Sequence, residues 1–150
     1  MTGLKIAVLL GSVRRDRMRL RAAGLVIREL ERPGHTVTLV DPLELQLPLL
    51  DRMYKEHPKG AAPEPHERLA ETYRSADGFL VVSGEYNHGI PPALKNLLDH
   101  FLQEYFWRPS GILCYSAGGF GGGSCAPPMH RVDWRRGWSS SRGYPSSEGS

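Results

Sequence analysis

The feature that most restricts this chain is a short aliphatic run cut off by a glycine. Lys5-Ile-Ala-Val-Leu-Leu10 is apolar without alternation and stops at Gly11. So short and uniform a run suits a strand covered on both faces, as in a parallel sheet with helices above and below. Next, Met18, Ala22, Leu25, Val26 and Leu30 recur at the spacing of one helical face, and Pro33-Gly34 closes that helix. His35 to Asp41, carrying Val37, Leu39 and Val40, reads as a second strand. Pro42, Pro48, Pro58 and Pro63 then exclude a long helix and predict an irregular excursion with room for one helical turn. From Glu64, the spacing of Leu69, Ala70, Tyr73 and Ala76 predicts a helix, and Phe79 to Val82 a third strand. Pro91-Pro92 opens a further helix with Leu94, Leu97, Leu98 and Phe101 on one face, and Ile112 to Tyr115 forms a fourth strand. Strands alternating with helices specify a right-handed α/β sheet whose ligand lies beyond the carboxyl ends of the strands. The loops after strands one, three and four are therefore where chemistry is expected.

Composition narrows the function classes. The chain has 150 residues, which suits one domain, and 40% of them are hydrophobic. No apolar run approaches the roughly 18 residues of a membrane span, and the amino terminus lacks the charged start and cleavage site of a secretory signal. A cytoplasmic protein that does not engage a membrane is expected. The net charge of +3 divides into +2 for residues 123–150 (four Arg against Asp133 and Glu148) and +1 for the rest. That leaves no broad basic face, so nucleic acid is not an expected partner. The two cysteines, Cys114 and Cys125, form no Cys-x-x-Cys pair, and the histidines show no ligand spacing. Reduced thiols, Cys114 as a small core residue and no metal site are the expectation. His100 reads as structural.

The first loop, Gly11-Ser12-Val13-Arg14, joins a strand to a helix start, where free N–H groups and the helix dipole favour an anion. Ser12 and Arg14 can bind a phosphate there, or Ser12 can cap the helix while the arginines face water. The loop has neither the Gly-Lys-Ser/Thr of a nucleoside-triphosphate site nor the Gly-x-Gly-x-x-Gly of a dinucleotide site. A mononucleotide phosphate is what remains.

The loop after strand three runs Ser83-Gly-Glu-Tyr-Asn-His-Gly89 and continues into Pro91-Pro-Ala-Leu-Lys-Asn-Leu-Leu-Asp99. With its Glu-Tyr-Asn, Leu-Lys-Asn and Asp elements, and the Gly-Ser-x-Arg loop before it, the chain resembles the NADPH-dependent FMN reductase family. Ser116-Ala-Gly-Gly-Phe-Gly-Gly122 is similar to the segment with which that family closes over the flavin. The resemblance implies a flavodoxin-like three-layer α/β sandwich with parallel sheet order 2-1-3-4. It also implies FMN as cofactor, held by Gly11, Ser12, Arg14, Arg17, Glu85, Tyr86, Asn87, His88, Gly89, Ser116, Gly118, Gly119, Phe120, Gly121 and Gly122. Residues 85 to 89 would lie against the flavin ring. Two positions depart from the pattern: Gly84 stands where the family usually has Pro, and Arg17 where it often has a small hydroxyl residue. Arg17 can replace that contact or point to water.

The implied activity is hydride transfer from NADPH or NADH through FMN to a small acceptor such as a quinone, an azo compound, a metal ion or free flavin. No side chain is assigned as catalytic acid, base or nucleophile, because the flavin carries that chemistry. A non-enzymatic FMN-binding electron carrier and an inactive fragment of a reductase are the other readings. Residues 123–150 hold seven Ser, four Gly and three Pro and no amphipathic period. The expectation is a reductase domain over 1–122 that lacks the family's fifth strand and last helices through a truncation or shifted frame, followed by a disordered tail over 123–150. A homo-oligomer is expected if the fold is complete.

Overall fold

The computed structural model describes residues 3–14 and 18–115, with Met18 and Arg19 described in their backbone alone. Arg17, the segment Ser116 to Gly122 and the expected tail lie outside the described residues. Four strands, β1 (Lys5–Leu10), β2 (Thr36–Val40), β3 (Gly78–Gly84) and β4 (Ser110–Tyr115), alternate with the helices α1 (Met18–Glu31), α2 (Pro42–Leu45), α3 (Glu64–Ser75) and α4 (Pro92–Asp99). Among the described residues they form one sheet, in the order β2-β1-β3-β4, with every pairing parallel. This is the flavodoxin-like order expected from the sequence.

Two-residue alternation along the strands separates two cores. Ala7, Leu9, Phe79 and Val81 pack with Leu69 and Tyr73 of α3 and with Leu94, Leu97 and Leu98 of α4. Val8, Leu10 and Val82 point the other way, towards Ala23, Val26 and Leu30 of α1. β1 and β3 are therefore apolar on both faces, which is why the sequence shows continuous runs there rather than alternating ones. In α1 the predicted face needs one correction. Ala23 is buried and Leu25 is 53% exposed, because the stripe against the sheet is centred on Ala22, Ala23, Val26 and Leu30 and Leu25 falls to its side.

The proline-rich excursion is tied down by α4. Asp41 caps the single turn α2, its carboxylate accepting from the Leu43 N–H at 2.9 Å, and a 3-10 turn covers Tyr54–Glu56. The Leu50 N–H donates to Asn96 Oδ1 at 2.9 Å, and Asn96 Nδ2 donates to the Pro48 carbonyl at 2.9 Å. His100 Nε2 reaches the same carbonyl at 3.0 Å, and His100 Nδ1 lies 3.1 Å from His66 Nε2 on α3. A carbonyl only accepts, so His100 carries its proton on Nε2, and His66 must then donate from its own Nε2. Both rings are buried, and His100 is structural as expected. Lys95 and Asp99 form an ion pair one turn apart on the outer flank of α4. The Leu-Lys-Asn and Asp elements thus serve the fold: Leu94 is buried in the core and Asn96 anchors the excursion.

Cys114 corrects another expectation. It is disulfide-bonded rather than a reduced thiol, while its half-buried side chain packs against the first core as expected.

Candidate functional site

The carboxyl ends of β1 and β3 lie side by side, with Leu10 paired to Val82. The Gly11 N–H extends this ladder, donating to the Val82 carbonyl at 2.8 Å. Glycine is required there by proximity rather than by a turn. A Cβ on residue 11 would sit 2.4 Å from Ser83 Oγ and 2.9 Å from Ser83 Cβ, both closer than atoms can approach. Ser83, buried at the end of β3, uses its hydroxyl on the Gly84 carbonyl at 2.9 Å. Sequence reading gave Ser83 no role. Its signal is only the facing glycine, visible once the strand pairing is known.

Beyond these strand ends the two loops meet. Ser12, only 3% exposed, has its Oγ 2.5 Å from the hydroxyl of Tyr86, across a separation of 74 residues. The Arg14 N–H donates to the same Oγ at 3.2 Å, which bends residues 12–14 into a compact hydroxyl-capped turn ahead of α1. A serine hydroxyl and a backbone turn that includes Arg14 thus occupy the position where a strand-to-helix loop favours an anion.

Residues 86–89 form a tight hairpin. The Tyr86 N–H donates to the Gly89 carbonyl at 3.1 Å and the Gly89 N–H to the Tyr86 carbonyl at 2.9 Å. The central residues Asn87 and His88 both have positive φ, 48° and 59°, the geometry of a type I′ turn. Asn tolerates this conformation because its short polar side chain bonds locally, whereas His at the second position carries more strain. Glu85 opposes that strain: its Oε1 lies 3.1 Å from His88 Nδ1. The Glu85 side chain is 8% exposed, and its Oε2 is buried without a hydrogen-bond partner. A buried acceptor left in this way costs about 1–3 kcal/mol until a donor meets it. Asn87 and His88 are exposed, and Gly89 is half-buried.

The departure at Gly84 has a local counterpart. A Cβ there would lie 3.2 Å from the ring of Tyr115, so a proline would crowd that ring, while the Glu85 N–H donates to the Tyr115 carbonyl at 3.1 Å. Of the residues expected at the site, Gly11, Ser12, Arg14 and Glu85 to Gly89 are gathered at one end of the sheet. Arg17, Ser116, Gly118, Gly119, Phe120, Gly121 and Gly122 fall outside the described residues. Among the described residues, an open groove along α3 lined by Glu64, Glu67, Arg68, Glu71, Arg74 and Ser75 contains none of the loop residues. No group of three or more His, Cys, Asp or Glu among the described residues could hold a metal ion, and no described helix is long and apolar enough to cross a membrane.

Residues 4–132 match the family described as NADPH-dependent FMN reductase. The chain belongs to this family. The match runs past Gly122 and takes in both loops of the site. An NAD(P)H-dependent FMN reductase of Schizosaccharomyces pombe is 36% identical over 139 residues, covering 85% of this chain and 64% of that protein. A quinone reductase of Escherichia coli is 32% identical over 135 residues, covering 86% of this chain and 69% of that protein. The chain thus spans about two thirds of the length of these relatives. Among solved structures, a flavoenzyme NAD(P)H:(acceptor) oxidoreductase from Paracoccus denitrificans superposes with a TM-score of 0.67 at 20% identity, over 84% of this chain and 68% of that one. At that identity it bears on the fold alone.

Proposed function

We propose that this chain is an FMN-dependent oxidoreductase that takes a hydride from NADPH or NADH and passes electrons to a small acceptor, a quinone being the first to test. The observation that carries the reading is the meeting of Ser12 and Tyr86 at the carboxyl ends of β1 and β3. It joins an anion-binding loop to the turn of the Glu-Tyr-Asn motif in a single site, at the place where an open α/β sheet takes its ligand. The quinone is suggested by the Escherichia coli relative.

The residues present fit FMN. Ser12, Arg14 and the backbone of 11–14 would receive its phosphate. The turn 85–89 would serve the polar edge of the ring, where the orphaned Glu85 Oε2 matches a group that brings an N–H donor. Gly89 leaves the outer side of that turn open to close approach. Bound FMN would supply the chemistry, accepting a hydride and releasing electrons to the acceptor. The protein's own part is to fix the phosphate at one end and the ring at the other, so that no side chain need move a proton. Arg17 and the Ser116 to Gly122 segment belong to the proposed site through the family motif, and azo compounds, metal ions and free flavin are further acceptors to test.

The test is a fluorescence titration of the purified 150-residue chain with FMN, followed by anaerobic stopped-flow mixing of the complex with NADPH and, in parallel, NADH. Saturable binding and loss of the oxidised-flavin absorbance are expected. Binding without reduction by either nicotinamide would make the protein an electron carrier, and absence of binding would overturn the reading.

A further inference from the structure

We propose that Tyr115 is a positioning residue for the turn at 85–89: the edge of its ring lies against Gly84 and restrains the backbone joint from which that turn springs. The inference rests on the FMN reading above and adds to it a residue which that reading leaves without a role. Gly84 ends β3, Tyr115 ends β4, and the two are register partners in a parallel pair. Partners in such a pair face the same side of the sheet, so the Tyr115 ring lies beside the place where a side chain on residue 84 would be. A Cβ there would meet Cε2, Cζ and Oη of Tyr115 at 3.2, 3.4 and 3.5 Å. The outer edge of the phenol thus borders the space that Gly84 leaves, and Gly84 is buried although it ends its strand. Gly84 is not among the glycines of positive φ. Its backbone conformation therefore does not call for glycine; the neighbouring ring does.

Glycine loses more conformational freedom on being fixed than any other residue. Here that loss falls two residues before the turn centre, where Asn87 and His88 are already held at positive φ. Residue 84 has no side chain with which to limit its own motion, so the restraint has to come from outside. Tyr115 supplies it from a fixed base: the side chain packs against the second core of Val8, Leu10, Ala23 and Val82, and its carbonyl accepts the Glu85 N–H at 3.1 Å. β4 therefore grips the joint at two successive residues, by the ring at 84 and by the backbone at 85. An aromatic ring set beside a glycine of the neighbouring strand is a known way of stabilising that glycine in a sheet. From the other side, the contact of Tyr86 with Ser12 ties the same turn to the loop after β1. A turn ordered in advance need not be ordered by its ligand, so this restraint is read out as affinity.

The experiment measures amide hydrogen exchange of the full chain without ligand, and FMN affinity by fluorescence titration. Tyr115→Ala should speed exchange at Tyr86 and Gly89 about fivefold relative to the amides of β1, the upper end for a cross-strand side-chain pair, and weaken FMN by a similar factor. Tyr115→Phe keeps the ring and should stay within about twofold of the wild type in both readouts. Proline at residue 84 fixes φ from within. Gly84→Pro should therefore restore most of both losses in the Tyr115→Ala background, yet give the turn no protection in the wild type, where it pushes against the ring. Equal acceleration of the turn and β1 amides would reduce Tyr115 to a packing residue and overturn the proposal. So would a Tyr115→Phe variant that behaves like Tyr115→Ala, or a Gly84→Pro effect that is the same in both backgrounds. Weaker FMN binding with unchanged exchange would make Tyr115 a direct ligand contact instead, which also overturns it. A wild type that binds no FMN while the exchange pattern holds would defeat the underlying FMN reading, and the ligand role of the turn with it. If Gly84→Pro fails to fold by circular dichroism, the difference between Tyr115→Ala and Tyr115→Phe in turn exchange decides.

Discussion

The buried pair His66–His100 makes the fold acid-sensitive in a defined window. With His100 Nε2 committed to the Pro48 carbonyl and His66 Nε2 to His100 Nδ1, the remaining nitrogen, His66 Nδ1, is buried without a partner. Protonating it would place a charge in the core with nothing to accept its hydrogen. Burial is the chief cause that lowers the His66 pKa from its ordinary 6.5, followed by His100 and His57, while Asp51 and Glu67 oppose the shift. In the native chain His66 thus stays neutral under conditions where the unfolded chain protonates it. The stability this neutral ring contributes is present above the ordinary 6.5 and is lost as pH falls from there towards the lowered native value. The slope for one proton is about 1.4 kcal/mol per pH unit. That slope bounds the loss between pH 7.5 and 5.5 at no more than about 1.4 kcal/mol. The control is His66→Gln, whose amide nitrogen can keep the donor to His100 but cannot titrate. Urea unfolding of both proteins at pH 7.5, 6.5 and 5.5 measures the effect. The variant should be less stable at pH 7.5, because ring contacts with His100 and Phe101 at 4.8 and 6.2 Å are lost, and its deficit should shrink towards pH 5.5. Glu67, held below the usual carboxylate range chiefly by the Tyr54 hydroxyl, loses its contribution only below about pH 4.5, outside this window. A deficit that stays constant across the three pH values would refute the assignment of the proton to His66.

Further outcomes follow from the site. Gly11→Ala drives a Cβ into Ser83 and should cost about 1–3 kcal/mol in urea unfolding, with part of the loss restored by adding Ser83→Gly; no recovery would mean that the strain lies elsewhere. Arg14→Ala should weaken FMN binding by about 1.5–3 kcal/mol, the range for a charged hydrogen bond, and unchanged affinity in the fluorescence titration removes Arg14 from the site. Gly89→Ala meets only the Tyr86 carbonyl, at an ordinary 3.6 Å, so the unfolding midpoint should hold while FMN affinity falls. A midpoint that drops with it would assign the effect to the turn rather than to ligand approach.

What was legible in the sequence was what repeats locally. Continuous aliphatic runs marked strands covered on both faces, and proline pairs marked a helix start, because strand and helix periods are properties of neighbouring residues. Leu25 was misplaced because its spacing fits a helical stripe as well as Ala23 does, and only the packed sheet decides which flank of α1 is covered. The contacts that define the site and anchor its surroundings are of another kind. Ser12 and Tyr86 lie 74 residues apart, and His66 and His100 lie 34 apart, so no spacing rule announces either pair.

The turn at 86–89 shows how motif and strain are connected. A two-residue hairpin of this type is most easily made by Asn-Gly, since both central positions need positive φ. This chain has Asn87-His88, with φ of 59° at His88. A residue with a Cβ there costs about 1–2 kcal/mol, and the sequence alone would therefore place the hairpin elsewhere. Three features hold the strained form: the two backbone hydrogen bonds between Tyr86 and Gly89, the contact of Glu85 with the His88 ring, and the anchoring of the Tyr86 hydroxyl on Ser12. Removing the last should leave the turn less well determined, which ties the conformation of the proposed ring-binding loop to the proposed phosphate-binding loop on the neighbouring strand. Strain retained under such cross-loop restraint is characteristic of sites prepared for a ligand, and here it lies in the same five residues that carry the orphaned Glu85 oxygen.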